Sequence, residues 1–148
     1  MSTIDANLAA AHAEVKAEIA RTDTKTGLLL AFVGAVLAGT WSVARDLPLN
    51  PAAILTGVPG LALLLGAAGL LLRSVRPNLG GRHGFPLWAT LTAEEITDTV
   101  SRDLAADIAG LSRLAVAKYT GLRRAVDLTQ IGGALLVLAA LLALGGAA

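Results

Sequence analysis

Uncharged positions gather in three long runs. Nineteen residues separate Lys25 from Arg45, a second run fills the interval between Asp46 and Arg73, and a third extends from Leu128 to Ala148. Each is about the length an α-helix needs to cross roughly 30 Å of hydrocarbon. None alternates as a barrel strand does, and a helix satisfies its own backbone in lipid, so each run predicts a membrane-spanning helix.

The more polar stretches are also helical by pattern. Between about Ile4 and Arg21, the residues Leu8, His12, Val15 and Ile19 recur at spacings of four, three and four. They draw one narrow apolar stripe on a helix that otherwise carries Glu14, Lys16 and Glu18, and such a stripe lies against another part of the protein. His12 reads as a partly buried structural histidine more readily than as a ligand or pH switch, since no second metal-type ligand is spaced to join it. Further along, Thr92-Ala-Glu-Glu95 fits a capping box, in which the threonine hydroxyl and the glutamate carboxylate satisfy exposed backbone donors. Ile96, Val100, Leu104, Ile108, Leu111, Ala115, Leu122 and Val126 then form an apolar face, with Tyr119 close to it. No proline follows Pro86, so nothing stops this helix from running on into the third span.

These elements predict an all-α integral membrane protein with three transmembrane helices, an N-terminal amphipathic helix and a long cytoplasmic helix that runs into the last span. The segments are residues 1–25 (cytoplasmic helix), 26–45 (first span), 46–51 (external turn), 52–72 (second span), 73–91 (cytoplasmic loop), 92–127 (cytoplasmic helix) and 128–148 (third span). Pro48 and Pro51 close the first turn, and Pro51 suits the start of a helix. Pro59 followed by Gly60 predicts a kink or weak point in the second span. In the first span Gly27, Ala31, Ala35 and Gly39 stand four apart, a stripe that admits close approach of another helix. It has two readings, packing inside one subunit and self-association between subunits. Gly57, Gly60, Gly66 and Gly69 thin the second span, which suits close packing against that stripe. The Gly-rich loop Arg76 to Gly84, with Arg82 and His83, lacks the preceding strand and the Lys-Ser/Thr pattern of a phosphate loop. Phe85-Pro-Leu-Trp88 has the character of an interfacial anchor.

Composition narrows the classes of function. Of 148 residues 55% are hydrophobic and only 3% aromatic, so lipid rather than a soluble core is the solvent for much of the chain. What remains outside the spans is divided in two, too little for the usual independent catalytic domain. A net charge of +1 argues against bulk nucleic-acid binding. The absence of cysteine excludes disulfides, thiol catalysis and thiolate metal sites. The first run is a retained span rather than a secretory signal, because about 25 residues precede it and include Asp5, Glu14, Glu18 and Asp23.

Cations decide orientation. Arg21, Lys25, Arg73, Arg76, Lys118, Arg123 and Arg124 flank the spans on one side, against Arg45 alone on the other. The positive-inside rule then places the N-terminus and residues 73–127 in the cytoplasm of a multi-pass inner (plasma) membrane protein, with the C-terminus outside.

No catalytic constellation or metal site emerges. Glu94 and Glu95 are adjacent and diverge on a helix, Asp98, Asp103 and Asp107 make a solvated face, and Ser101 and Ser112 have no histidine in sequence range. No enzyme activity, metal or cofactor is predicted. What stands out is a collar of Arg21, Asp23, Lys25, Arg73, Arg76, Arg113, Lys118, Tyr119, Arg123 and Arg124. One reading is topology together with attraction to anionic headgroups of the lipid bilayer. The other is a binding site formed by Arg21, Asp23, Lys25, Arg113, Lys118, Tyr119, Arg123 and Arg124, where cations hold a phosphate and the tyrosine stacks on a base.

Three stretches carry a family likeness: Arg21-Thr-Asp-Thr-Lys-Thr-Gly-Leu-Leu-Leu-Ala, Val-Arg-Pro77 at the end of the second span, and Ala117-Lys-Tyr-Thr-Gly-Leu-Arg-Arg-Ala125. With them the chain resembles the transmembrane effector family of Pycsar anti-phage systems over nearly its whole length. It is also similar to small actinobacterial proteins labelled integral membrane plasmid transfer protein, which implies the alternative of a role in plasmid spread without a nucleotide trigger. The Pycsar resemblance implies an effector activated by a cyclic pyrimidine nucleotide, cyclic UMP or cyclic CMP, that a partner pyrimidine cyclase makes during infection. It implies damage to the inner membrane, so that the cell dies before phage matures. Asp23, Lys25, Lys118 and Tyr119 match the family pattern and would form or brace the switch. No alternating strands of a β-roll nucleotide domain are present, so sensing falls to the helical cytoplasmic part. A homo-oligomer in the bilayer is expected.

Overall fold

The computed structural model describes residues 3–47, 49–76, 85–96 and 104–145. Among the described residues all regular structure is helical. Helix α1 spans Thr3–Ala44, α2 Pro51–Val75, α3 Phe85–Trp88 and α4 Leu104–Gly145. Three of these, α1, α2 and α4, are long and apolar enough to cross a membrane. The fold is all-α, as the three runs predict. Pro48, Pro77, the Gly-rich loop with Arg82 and His83, and Asp98, Val100, Ser101, Asp103 and Ala148 lie outside the described residues.

The chain divides into two compact units. One comprises residues 1–24 and 76–119, the other residues 25–75 and 120–148. The N-terminal polar helix and the first span form a single helix of 42 residues, α1. Polar residues at the join do not break it, because the hydroxyls of Thr22 and Thr24 donate to the carbonyls of Glu18 and Ala20 one turn back. α4 likewise runs its 42 residues without interruption.

The apolar unit is built on heptad spacing. α2 buries Ala53, Gly60, Leu64, Ala67 and Leu71, and α4 buries Leu122, Ala125, Thr129, Gly132 and Ala143. Steps of three, four, seven and eleven keep each seam on one side of its helix, as side chains that interlock between packed helices require. α1 adds Val33, with Leu29, Leu30, Val36 and Leu37 partly buried around it. Thr129 is buried with its hydroxyl satisfied, donating to the carbonyl of Ala125 at 2.7 Å.

The closest approach corrects one expectation. Gly27, Ala31, Ala35 and Gly39 do not pack inside the subunit: all four are exposed, and a Cβ on Gly27 or Gly39 would meet nothing within 4 Å. At about 3.6 residues per turn their stripe falls on the side of α1 away from Val33, so the bulkier residues make the contact instead. In the second span Gly57, Gly60 and Gly66 face α4. A Cβ on Gly60 would lie 2.9 Å from the carbonyl oxygen of Gly132, and one on Gly132 would lie 2.9 Å from that of Gly60. Gly57 is close to Ala139, while Gly69 faces open space. Pro59 sits inside α2 without ending it, immediately before this crossing.

One side chain ties two helix ends. Asn50 caps α2, its Oδ1 accepting from the Ala53 amide at 2.8 Å, and its Nδ2 donates to the Leu142 carbonyl at 2.8 Å. Leu142 lies among the last four residues of α4, whose carbonyls have no partner within the helix, so one amide satisfies orphan groups at both ends.

Candidate functional site: a polar clasp between parallel helices

In the unit formed by residues 1–24 and 76–119, α1 and α4 run side by side. The expected stripe residues Leu8, His12, Val15 and Ile19 are half-buried, as are Leu104, Ile108, Leu111 and Ala115 on α4. The capping box forms as the spacing predicts. The Thr92 amide donates to Glu95 Oε2 at 2.8 Å and the Glu95 amide to Thr92 Oγ1 at 3.3 Å, and residues 93–96 are helical. Trp88 on α3 is half-buried, with the Lys16 ammonium 5.8 Å from its ring centroid.

Polar links join the two helices. His12 Nε2 lies 3.0 Å from Asp107 Oδ2, and Lys118 Nζ donates to Asp23 Oδ1 at 2.5 Å. Both pairs are 95 residues apart in sequence, which fixes a parallel arrangement in constant register. Eleven residues, about three helical turns, separate His12 from Asp23 and Asp107 from Lys118, so each helix presents both partners on nearly one face. Between them the Tyr119 hydroxyl donates to Glu18 Oε1. Glu18 Oε2 accepts from Arg21 Nη1 at 3.1 Å, so one carboxylate bridges a phenol and a guanidinium.

Four of the residues expected to bind a ligand therefore meet here: Arg21, Asp23, Lys118 and Tyr119. Arg113 is exposed and donates to the Ala109 carbonyl of its own helix at 3.2 Å. Lys25, Arg123 and Arg124 are exposed and belong to the other unit, as does Arg73, while Arg76 is exposed in this one. Glu18 and Asp107 are participants that the pattern alone does not single out. Glu18 is visible beforehand only as an i, i+3 partner of Arg21, and the repeated interval of eleven is the one trace of the His12–Asp107 pairing. His12 is the partly buried histidine expected, now with a carboxylate on it; its side chain is 17% exposed. Among the described residues no three His, Asp or Glu side chains gather as a metal site would require.

The chemistry of the clasp is exchange of donors. Lys118, Tyr119 and Arg21 present an ammonium, a phenolic hydroxyl and a guanidinium, each held by a carboxylate of α1. Asp23 is 43% exposed, and an ion pair that open to water contributes only about 0–1 kcal/mol.

The description "Pycsar effector protein domain" matches residues 7–145, which takes in both units and every link of the clasp. The chain belongs to the Pycsar effector family. Nothing among curated proteins or solved structures matches it. For this Pycsar effector the match joins the three candidate spans to a membrane effector domain, so it is a multi-pass membrane protein of antiviral defence. The matched domain is described as an effector domain. Of Asp23, Lys25, Lys118 and Tyr119, which match the family pattern, Asp23, Lys118 and Tyr119 take part in the links between α1 and α4.

Proposed function

We propose that this Pycsar effector is triggered by a cyclic pyrimidine nucleotide, cyclic UMP or cyclic CMP, produced by a partner cyclase, and that the activated protein impairs the integrity of the inner bacterial membrane. The observation that carries the reading is the pairing of Lys118 and Tyr119 of α4 with Asp23 and Glu18 of α1. A cyclic phosphate offers these donors, and Arg21, an anion in place of the two carboxylates. Once displaced, Asp23 and Glu18 no longer hold α4. Both helices are continuous into apolar segments, so a change of pairing in the clasp has a physical route to the spans. The ligand biases this equilibrium only by its preference for the opened pairing. The excess of cations beside one end of the spans supports a cytoplasmic N-terminus, where such a nucleotide is made. Activation is proposed to involve copies of the chain assembled in the bilayer.

Leakage of dye from liposomes containing the purified protein tests this directly. Release is expected on adding cyclic UMP or cyclic CMP and not in its absence. Lys118→Ala abolishes the response while leaving insertion intact, and Asp23→Asn lowers the nucleotide concentration required. Equal leakage from Lys118→Ala and the parent chain, or no response to either nucleotide, refutes the reading.

A further inference from the structure

α4 carries a second seam. Within the apolar unit, Arg123, Asp127, Gln130, Ala134, Val137, Leu141 and Leu144 follow one another at steps of four and three, and all seven are exposed. Val137, Leu141 and Leu144 are 62%, 61% and 59% exposed. At about 3.6 residues per turn this line runs on the side of α4 away from the buried Leu122, Ala125, Thr129, Gly132 and Ala143. A surface meant only for lipid would be apolar throughout. Here three polar side chains lead into the span, and among the described residues Arg123, Asp127 and Gln130 make no hydrogen bond or ion pair, although Arg123 and Asp127 stand one turn apart. A primary amide entering hydrocarbon is costly unless another polar group meets it.

We propose that two copies of the chain pair through this face of α4. Copies inserted in the same direction relate by a two-fold axis along the membrane normal, so each residue of the seam faces its own counterpart and the residues a turn away. That geometry brings Arg123 of each copy toward Asp127 of the other. It also lets the two Gln130 amides donate N–H to each other's carbonyl, the kind of contact that holds helices together in lipid. Beyond them Ala134, Val137, Leu141 and Leu144 supply an apolar seam, with Ala134 admitting close approach just past the amides. The face is complementary to itself, in charge and in hydrogen bonding, which selects a second copy over an unrelated partner. The pairing is independent of any nucleotide trigger, because it uses no residue of the clasp.

The chain has no cysteine, so single cysteines report cleanly on which face meets its counterpart. Oxidative crosslinking of the full chain in liposomes is expected to give dimers from Ala134→Cys and Leu141→Cys, two turns apart, and few from Leu65→Cys on α2. Gln130→Leu, added to Ala134→Cys, lowers the dimer yield about three- to tenfold, the range of one interhelical hydrogen bond in lipid. A crosslinking maximum at Ala35→Cys on α1, equal yields at all positions, or a yield unchanged by Gln130→Leu overturns the proposal. None of these readings requires leakage, so the proposal stands or falls apart from the trigger.

Discussion

A single methyl group at the α2–α4 crossing gives the most demanding test of the fold. In Gly60→Ala the new Cβ would lie 2.9 Å from the Gly132 carbonyl oxygen, 3.0 Å from Leu135 Cβ and 3.2 Å from Leu136 Cγ. Carbon–oxygen contacts between packed helices sit at about 3.3–3.6 Å, so the oxygen must give way by roughly 0.4 Å. It belongs to the backbone of α4 and cannot rotate aside; the helices must part. A gap of about 0.5 Å already forfeits a quarter of the dispersion well for the contacts along it. Overpacking of this kind costs about 2–3 kcal/mol, offset by about 1 kcal/mol from the better helix propensity of alanine. The net loss is then about 1–2 kcal/mol, a factor of roughly 5 to 30 in the folded ratio. Gly69→Ala makes the same chemical change where nothing lies within 4 Å, and is expected to be neutral or stabilising by up to about 1 kcal/mol. Unfolding in mixed micelles by SDS titration, followed by circular dichroism, reads both. The two variants should differ by about 1–3 kcal/mol. Equal stability of Gly60→Ala and Gly69→Ala would refute the close crossing.

Other consequences are as direct. Asn50→Ala removes a cap and a carbonyl partner at once, costing about 1–2 kcal/mol in the same titration, and Asn50→Asp does no better because its second oxygen would face the Leu142 carbonyl. A double-mutant cycle on His12→Ala and Asp107→Ala should show a coupling of about 0.5–1 kcal/mol; additivity within about 0.3 kcal/mol would mean the pair contributes nothing. Tyr119→Phe keeps the ring and removes the donor to Glu18, so it should lower stability by about 1 kcal/mol and weaken the response to nucleotide in the liposome assay, and a variant indistinguishable from the parent in both would count against the clasp.

The spans and the helical class were legible because lipid leaves so few options: a run of about twenty uncharged residues without alternation is a helix. The capping box at Thr92 and Glu95 was legible because both partners lie within one turn. Which helices touch was not. Gly27, Ala31, Ala35 and Gly39 make a conspicuous line on α1, yet the backbone contact falls at Gly60 and Gly132, one buried glycine on each of two distant helices with no local signature. A stripe records that a helix can be approached closely, and nothing in it says by what. The site divides in the same way. Asp23, Lys118 and Tyr119 stood out as charged or aromatic residues at a helix join, whereas their partnership is set by the register of α1 against α4. Glu18 and Asp107 had looked like solvated charges because their donors come from about a hundred residues away.

The amide of Asn50 has a mechanical meaning for α2 and α4. The pair is tied at one extremity by the bond to Leu142, and it touches backbone to backbone at Gly60 and Gly132. A lever fixed at its tip and resting on a fulcrum can splay only beyond the fulcrum. Any loosening of this pair therefore opens toward Leu71 and Leu122, at the extremity remote from Asn50, while the tied extremity stays shut.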